Sequence, residues 1–382
     1  MRIFISAGEP SGDIHGASLI RSLKQRRPDL EFVGFGGERI AAEGATLLYP
    51  LVDLAVMFIT RVLAHIATFY RILRQADRYF AEHRPDAVVL IDYPGFHWWL
   101  AKKAKARGIP VYYFVPPQLW AWAGWRVKKM KRTVDHVLCT LPFEKDWYEQ
   151  RGVVAEYIGH PFFDDLAHQR FDADFLAEQR AKGGEIVALL PGSRNQEVER
   201  NLESMIRAAE LILAKRPGVR FLVASFKPNQ RAMVDAHLAK HPGLPIETYL
   251  GRTPEIMELC KVCLAVSGSV SLELLYRKKP TVIIYRVSRV LMAGSKYVVK
   301  VPYICLVNLL AKREVFPEFL SFHCPATAIS ERLLHWLESQ SDHAETVDQL
   351  NGLCRQVAVP GACDRAADYL LATLATERRA AA

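Results

Sequence analysis

A carboxylate placed directly after an apolar run of strand length is the first feature of this sequence that could do acid–base chemistry. Residues 87–91 read AVVLI, which predicts a buried strand, and the next residue is Asp92. A carboxylate at the mouth of a sheet loses part of its hydration, which raises its pKa and makes it a usable general base. The alternative is that Asp92 only caps the helix predicted to begin near Phe96.

A turn with two glycines follows the first predicted strand and reads GEPSGD at residues 8–13. Glycines allow the backbone to approach a ligand, and the exposed amides at a helix start attract phosphate. The spacing differs from the dinucleotide fingerprint G-x-G-x-x-G, so a dehydrogenase is not favoured. The alternative is that Ser11 or Asp13 simply caps the helix that begins near Ile14.

Two loops in the second half have the composition of anion sites. Residues 191–194 read PGSR after a predicted strand, and Arg194 offers a fork of donors to phosphate or carboxylate. Residues 267–273 read SGSVSLE, where the amides of Gly268 and Ser269 could hold a diphosphate and Glu273 could accept two ribose hydroxyls. Either loop alone could be a turn of small residues whose acid stabilises a helix dipole. The two together favour a nucleotide site.

Residues 54–73 form an apolar stripe whose margins carry cations. From Ile59 onward the apolar positions fall at helical spacing, which predicts an amphipathic helix. Such a helix can pack into a protein core or lie among lipid headgroups, and the pattern alone favours the core. The stripe contributes Phe58, Ile59, Val62, Leu63, Ile66, Phe69 and Leu73 as candidate lipid contacts.

A second segment, residues 120–132, combines tryptophans with five cations and contains no acid. Aromatic rings beside cations can stack nucleic-acid bases, and they can equally serve a lipid interface. The third possibility is an ordinary solvated helix face. Nucleic acid is the least favoured of the three, because no RNA-binding fold signature accompanies the segment.

These residues need a scaffold that places strand ends together, and the alternation of the sequence predicts one. Short apolar runs alternate with amphipathic stretches, which predicts repeated βαβ units and parallel sheets. A polar stretch at 166–184 interrupts the rhythm, so we expect two doubly wound Rossmann-like domains, residues 1–165 and 185–325, joined by this linker and facing a central cleft. Residues 326–382 are predicted to be helical. The predicted strands are 2–7, 31–36, 87–92, 110–115, 136–141, a run beginning at 185, 220–226, 262–269 and 281–286.

Composition narrows the class of protein. The chain has 382 residues, half of them hydrophobic, and a formal net charge of +9, which indicates a globular protein with a preference for anionic partners. Seven irregularly spaced cysteines favour a reducing cytosol. The N-terminus does not resemble a secretory signal, and no apolar run reaches the roughly 18 residues that a membrane span requires. We therefore expect a cytoplasmic protein whose membrane contact, if any, is peripheral.

Three residue patterns that could suggest a metal site are not interpreted as metal ligands. Cys260 and Cys263 lack a second pair of ligands at zinc spacing and are predicted to be core thiols. The Asp172-Ala173-Asp174 sequence lies away from any strand end and is predicted to cap a helix. The histidines show no metal-ligand spacing. We therefore expect no metal and no other cofactor.

The combination of motifs resembles the lipid-A-disaccharide synthases, glycosyltransferase family 19 of the GT-B class. The motifs occur in the family's order over residues 2–325 and are GEPSGD, DLAVM, LIDYPGF, PPQLWAW, LPFEKDWY, YIGHP, LLPGSR, SGSVSLE and NLLAKRE. The resemblance implies an inverting, metal-independent transfer of 2,3-diacylglucosamine from UDP-2,3-diacylglucosamine to the 6-hydroxyl of 2,3-diacylglucosamine 1-phosphate. The products are a β-1,6-linked disaccharide 1-phosphate and UDP, in the lipopolysaccharide pathway of Gram-negative bacteria.

The resemblance also implies roles for individual residues. Asp92 becomes the base and Glu9 a second catalytic or acceptor-side group, both in an N-terminal domain that binds acceptor and membrane. The C-terminal domain binds the UDP-sugar through Arg194, Gly268, Ser269, Glu273 and Asn308. The stripe at 54–73 becomes the membrane patch, which reverses the preference for core and places the enzyme peripherally on the inner face of the inner membrane, against anionic lipid. The C-terminal helical segment either packs back on the N-terminal domain or is exchanged in a homodimer.

Two rival functions make different predictions. Another GT-B enzyme acting on a UDP-sugar, an epimerase or a different transferase, would convert UDP-N-acetylglucosamine alone. A non-catalytic protein that binds membranes or RNA would bind liposomes or RNA and release no UDP from an acylated donor.

Overall fold

The computed structural model describes residues 1–58, 66–287 and 301–381. The chain forms two compact units. Unit 1 combines Met1–Ala167 with Val359–Ala382, and unit 2 is the continuous segment His168–Ala358. The chain therefore leaves unit 1, completes unit 2 and returns.

Unit 1 is built on a seven-stranded parallel sheet. Its strands are β1 Arg2–Ala7, β2 Glu31–Phe35, β3 Thr46–Tyr49, β4 Ala87–Ile91, β5 Val111–Phe114, β6 His136–Cys139 and β7 Ala155–Tyr157. They are arranged in the order β3-β2-β1-β4-β5-β6-β7, and every neighbouring pair is parallel. The strand order reverses between β1 and β4, as in other doubly wound sheets.

Helices cover both faces of this sheet. They are α1 Pro10–Arg26, α2 Glu38–Ala42, α3 Leu51–Phe58, α4 Ile66–His83, α5 Pro94–Lys105, α6 Leu119–Trp122, α7 Val127–Thr133, α8 Pro142–Glu149, α9 Pro161–Ala167 and, from the end of the chain, α18 Ala362–Ala381. Alternate strand residues point into two separate apolar cores. One core includes Phe4, Val88 and Tyr113 with α3 to α8, and the other includes Ile3 and Val89 with α1, α2 and α18.

Unit 2 repeats the plan with a six-stranded parallel sheet. The strands are β8 Glu185–Leu190, β9 Val219–Ser225, β10 Ile246–Leu250, β11 Val262–Val266, β12 Thr281–Arg286 and β13 Glu318–Ser321. Their order is β10-β9-β8-β11-β12-β13. The helices are α10 Ala173–Ala181, α11 Asn195–Lys215, α12 Pro228–Leu238, α13 Thr253–Leu259, α14 Val270–Tyr276, α15 Leu306–Ala311, α16 Ala326–Glu338 and α17 Gln340–Val357.

The predicted fold class, two doubly wound α/β domains of GT-B type, is confirmed. The boundaries of the two units differ from the predicted domain boundaries at the linker and in the C-terminal segment. The expected linker 166–184 contains α10, which contacts α13 within unit 2. Asp172 caps α10 by accepting from the Phe175 amide at 3.0 Å, as predicted for the Asp172-Ala173-Asp174 sequence.

The C-terminal helical segment is shared between the units. Helices α16 and α17 belong to unit 2, whereas α18 contacts α1 and closes one core of unit 1 within the same chain. Gly361, with φ +88°, lies immediately before α18.

All seven cysteines are free thiols. Cys260 and Cys263 are buried, and burial raises the pKa of Cys260 to about 11, which fits their prediction as core thiols. No helix in the described part of the chain has the length and apolarity required to cross a bilayer.

Candidate active site

The topological switch point of unit 1 brings two sequence-predicted residues to one edge of the sheet. Strands β1 and β4 are parallel neighbours with Ala7 opposite Ile91, so the loops that carry Glu9 and Asp92 begin side by side. The loops are also in contact, because a Cβ at Gly8 would lie 2.3 Å from Cδ1 of Tyr93. Only glycine fits against this ring, which explains the first glycine of the GEPSGD turn.

Asp92 has an unusual backbone conformation. Both Asp92 and Tyr93 have positive φ, +53° and +49°, a region that non-glycine residues seldom adopt. The carboxylate Oδ1 accepts the Tyr93 amide at 2.9 Å. Burial raises the pKa of Asp92, against smaller opposing effects of that amide and of His15. The alternative role of Asp92 as a helix cap is absent, since α5 begins with Tyr93 at its N-cap. The desolvation expected of a carboxylate at the mouth of the sheet is present.

Glu9 occupies the N-cap position of α1 but makes no side-chain capping bond there. Its charge adds to burial in raising the pKa of Tyr93. The carboxylates of Glu9 and Asp92 both act on the buried Tyr113, whose pKa they raise further after burial. Glu9 and Asp92 therefore both affect the pKa of the same buried tyrosine.

Asp13 has a structural role that differs from the predicted cap of its own helix. Its carboxylate accepts the amides of Gly37, Arg39 and Ile40 at 2.7, 3.1 and 3.3 Å, at the beginning of α2. Asp13 therefore holds α2 against α1.

One histidine without a sequence-predicted role lies on the helix that follows Glu9. His15 is buried on α1, and its Nδ1 lies 3.3 Å from an Asp165 carboxylate oxygen. The His160 ring lies 6.1 Å from the His15 ring, centroid to centroid. Burial lowers the pKa of His160 to about 3. The electrostatic effect of His15 opposes the burial that raises the pKa of Asp92.

The switch point of unit 2 lies between β8 and β11, and a cavity of about 260 Å³ opens there. Both predicted anion loops contribute to its lining. The lining residues are Leu190, Gly192, Ser193, Arg194, Glu197, Ala224, Phe226, Thr253, Val266, Ser267, Gly268, Ser269 and Val270. The structure therefore brings Arg194, Gly268 and Ser269 together as predicted.

The loop after β8 is held by two side chains. Glu197 Oε2 accepts the amides of Ser193 and Arg194 at 3.0 and 3.1 Å, while its Oε1 pairs with the Arg194 guanidinium at 3.0 Å. Gln230 donates to the Ser193 carbonyl at 2.8 Å and ties this loop to the start of α12. The Arg194 side chain remains 71% exposed, so it is available to an anion in the cavity.

The loop after β11 presents two exposed residues, Gly268 and Ser269, at the start of α14. A Cβ at Gly268 would meet no atom within 4 Å, so this glycine leaves room for a ligand. Glu273 lies one turn into α14 and is buried, and its Oε1 accepts from Arg277 at 2.7 Å. Burial raises the pKa of Glu273 and Arg277 opposes that shift.

Asn308 is buried, and its side chain is fully hydrogen-bonded inside unit 2. Its Nδ2 donates to the Phe316 carbonyl and to Glu318 Oε1, each at 2.7 Å. Its Oδ1 accepts the amides of Val315 and Phe316 at 2.8 and 2.9 Å. An amide side chain has two donor hydrogens and one acceptor oxygen with two lone pairs, all used here. Asn308 therefore joins α15 to β13, and its expected contact with the UDP-sugar donor stays a prediction.

The apolar stripe is partly described. Ile66 and Tyr70, on the first turns of α4, are exposed, whereas Phe69 and Leu73 pack against the core of unit 1. Phe69 contacts the rings of Tyr93 and Phe96. Two of the predicted membrane residues are therefore partly covered by the core, and their contact with lipid stays a prediction. The side chain of Phe58 and the residues Ile59, Val62 and Leu63 lie outside what the structure describes.

The basic aromatic segment also divides in two. Trp120 donates from Nε1 to the buried Glu144 at 2.8 Å and contacts Phe143 edge to face, so it is structural. Trp125 is 66% exposed, with the Arg126 guanidinium 5.2 Å from its ring centroid. Cations with exposed or half-exposed side chains follow on α7, namely Lys128, Lys129, Lys131 and Arg132.

Three residues of the two sites carried no distinctive sequence signal of function. Phe226 is 66% exposed and lines the cavity, where an aromatic ring can stack on a planar base. Gln230 accepts the amides of Phe226 and Lys227 through Oε1 at 3.2 and 3.1 Å, and no sequence signature marked it, because Lys227 is not the Ser or Thr of a capping box. His97 contacts the Asp92 carbonyl from inside the core, and only the tertiary structure reveals this.

Two α/β units, each built on a parallel sheet with its candidate site at the switch point, define a GT-B type architecture. Solved structures share it. The UDP-GlcNAc 2-epimerase from Neisseria meningitidis, bound to UDP-GlcNAc, matches with a TM-score of 0.62 at 12% identity, covering 98% of this chain and 100% of that chain. The S. aureus MnaA–UDP co-structure matches with a TM-score of 0.67 at 11% identity, covering 97% and 95%. Identities this low establish the fold alone.

Sequence comparison defines the family. The family model described as lipid-A-disaccharide synthetase matches residues 3–371. The lipid-A-disaccharide synthase of Myxococcus xanthus is 37% identical over 98% of this chain and 97% of that protein. Those of Azotobacter vinelandii and Pseudomonas aeruginosa are 37% and 34% identical, each over 94% of this chain and 95% of the relative. The chain belongs to the lipid-A-disaccharide synthetase family, and it is a glycosyltransferase.

Proposed function

We propose that this enzyme joins two acylated glucosamines. It transfers 2,3-diacylglucosamine from UDP-2,3-diacylglucosamine to the 6-hydroxyl of 2,3-diacylglucosamine 1-phosphate, and it forms a β-1,6-linked disaccharide 1-phosphate and UDP. Membership of the family supports this substrate pair. The observation that carries the proposal is the presence of a desolvated carboxylate at one switch point and of an anion-suited cavity at the other.

In the proposed step the Asp92 carboxylate removes the proton from the 6-hydroxyl as that oxygen attacks the anomeric carbon of the donor. The new bond forms on the face opposite the leaving group, so the bond to the UDP oxygen breaks and the configuration inverts. One base suffices and no covalent enzyme intermediate is needed. The raised pKa of Asp92 makes it a stronger base than an ordinary aspartate. Glu9 is proposed to orient the acceptor beside it.

The leaving diphosphate gains negative charge as the bond breaks. In this proposal the exposed guanidinium of Arg194 and the amides of Gly268 and Ser269 stabilise that charge by hydrogen bonding to the diphosphate. Glu197 supports the arrangement, because its two oxygens hold the loop amides and the guanidinium in place. Glu273 is proposed to accept the ribose hydroxyls with the oxygen that does not bond to Arg277. The Phe226 ring offers a stacking surface for the uracil.

We also propose that unit 1 contacts the cytoplasmic face of the inner membrane through anionic lipid. Exposed apolar side chains, Ile66, Tyr70 and Trp125, lie in or next to the first turns of α4 and α7. The cations of α7 follow Trp125 directly, and apolar rings with neighbouring cations suit the headgroup layer. A homodimer with exchanged C-terminal segments remains a prediction.

The proposal is tested by mixing the purified enzyme with both diacyl substrates and identifying the products by mass spectrometry. We expect a disaccharide 1-phosphate and an equal amount of UDP, with neither product when the acceptor is omitted. A β linkage in the product, determined by NMR, would establish inversion. Epimerisation of UDP-N-acetylglucosamine without disaccharide formation would instead support a UDP-sugar epimerase.

A further inference from the structure

A buried histidine on α5 contacts the backbone of the candidate base. His97 is fully buried, and its Nδ1 lies 2.6 Å from the carbonyl oxygen of Asp92. Its Nε2 lies 2.9 Å from the hydroxyl of Ser6 on β1. Because a carbonyl oxygen can only accept, Nδ1 must carry the proton, and in the neutral ring Nε2 then accepts from Ser6. Burial lowers the pKa of His97 to about 4, so this neutral tautomer persists at physiological pH.

The same carbonyl has a second donor. The hydroxyl of Tyr113, a fully buried residue of β5, donates to the Asp92 carbonyl oxygen at 2.7 Å. A carbonyl oxygen has two lone pairs, so His97 and Tyr113 together occupy its hydrogen-bonding capacity. Both donors are side chains fixed in the interior of unit 1, and neither bond belongs to a strand ladder or a helix.

These bonds explain how Asp92 keeps its uncommon backbone conformation. Two successive non-glycine residues with positive φ turn the chain sharply at the end of β4, and such a turn persists only when surrounding bonds hold it. With the carbonyl anchored inward, the direction of the Asp92 Cα–Cβ bond is fixed. The Tyr93 amide, which donates to Oδ1 at 2.9 Å, then restrains the carboxylate itself.

We propose that His97 and Tyr113, with Ser6 orienting the histidine, are positioning residues that hold Asp92 for proton abstraction. The inference rests on the proposed role of Asp92 as the base. None of the three side chains is proposed to touch substrate. They act through the Asp92 carbonyl, so their loss should reduce the rate of the chemical step and leave nucleotide binding intact.

The test uses the full-length enzyme with Tyr113→Phe, His97→Leu, His97→Asn and Ser6→Ala. We expect kcat to fall by about 10-fold in Tyr113→Phe and about 100-fold in His97→Leu, with the donor KM and the UDP Kd within about 2-fold. The asparagine side chain introduced by His97→Asn would still place an amide donor near the former Nδ1, so this variant should recover most of the loss. Ser6→Ala should have the smallest effect.

The pH profile provides a readout that a purely structural role would not move. A carboxylate released from its fixed orientation becomes better hydrated, so the pKa of Asp92 should fall toward its ordinary value. The acid limb of kcat/KM should therefore move to lower pH in Tyr113→Phe and His97→Leu. In the unaltered enzyme it should lie above the usual range of an aspartate.

Tyr148→Phe is the matched control. Tyr148 is also a buried tyrosine of the same core, and it donates to a backbone carbonyl, that of Pro117, at 3.2 Å. We expect a similar loss of stability and a kcat within about 2-fold of the unaltered enzyme. If Tyr113→Phe and His97→Leu match this control in kcat and pH profile, the positioning role is overturned.

Asp92→Asn, measured in parallel, separates this inference from the proposed function. Near-normal turnover of Asp92→Asn would remove the base assignment and the positioning role with it. Loss of turnover in Asp92→Asn, with full turnover in the Tyr113 and His97 variants, would overturn the positioning role alone. Should His97→Leu fail to fold, Tyr113→Phe and Ser6→Ala decide the question.

Discussion

The two switch points share one topology and differ in chemistry. In unit 1 the site is a half-buried carboxylate, Asp92, on a strained turn whose carbonyl is fixed by core side chains. In unit 2 it is an open cavity lined mostly by small residues, with the exposed Arg194 in its lining. The first arrangement suits proton transfer, because burial raises a carboxyl pKa, and the second suits an anion, because exposed donors lie at helix starts.

The difference teaches that strand order locates a site without assigning its chemistry. Both sheets follow the same order around their reversal point. The residues after the strands decide the outcome: an acid followed by tyrosine in one unit, and glycine, serine and arginine in the other. Variants at the unit 1 site should therefore lower turnover, and variants at the unit 2 site should weaken nucleotide binding. Substitutions at either site test this separation of functions.

The largest effect is expected for Asp92→Asn. Turnover should fall by about 100-fold or more, as for loss of a general base, while UDP binding measured by calorimetry stays within about 2-fold. Near-normal turnover would show that another group takes the proton. A parallel loss of UDP binding would show that the two sites do not have separate functions.

A smaller effect is expected for Arg194→Ala. Loss of a charge-assisted contact to the diphosphate should weaken UDP binding by about 10- to 100-fold. Arg207→Ala is the control, because Arg207 is also exposed on α11 and pairs with Glu203 on its own helix at 2.7 Å, but it does not line the cavity. Equal effects of the two variants would indicate general electrostatic attraction and not a contact.

Phe226→Ala should weaken UDP binding by about 10-fold, in line with loss of one base-stacking contact. Phe322→Ala is the comparison, since this ring is also exposed in unit 2 but does not line the cavity. We expect the Phe322 variant to bind UDP normally in the same calorimetric titration. Unchanged binding by Phe226→Ala would place the uracil elsewhere.

The smallest effect concerns stability. The raised pKa of Asp92 means that ionising it costs more in the folded state than in the unfolded chain, so its contribution declines as pH rises through the folded-state pKa. Asp92→Asn should therefore raise Tm at pH 8 by a few degrees, since about 1 kcal/mol corresponds to about 2–4 °C at this size. The gain should shrink as the pH is lowered toward about 4, the ordinary range of an aspartate, as scanning calorimetry over this pH range would show. A gain independent of pH would point to the backbone preference of asparagine.

Sequence reasoning succeeded where strands are buried on both faces. The central strands β1, β4, β8 and β11 read as continuous apolar runs and were predicted within a few residues. The strands that were missed, β3, β7, β10 and β13, lie at the four edges of the two sheets. They have three to five residues and are largely half-exposed, so they lack the apolar run that marks a buried strand.

The positions of the candidate site residues could be predicted in part, as the strands could. Strand ends placed Asp92 and Arg194 correctly, because a residue after a parallel strand must lie at the carboxyl edge. The support of Asp92 could not be predicted, since Ser6 and His97 are 91 positions apart and meet only in the tertiary structure. The hydrogen bonds of Asn308 could not be predicted either, because Val315 and Phe316 lie in a loop that the sequence pattern does not define.

Helix α18 has a consequence for how the molecule is made. Its buried residues, including Ala366 and Leu370, complete a core whose other members, from Ile3 to Ile158, are synthesised before unit 2. A ribosome must therefore finish every residue of unit 2 before unit 1 can close. During synthesis the later unit can acquire its native packing first, while the earlier one waits with an open apolar face that a chaperone would recognise.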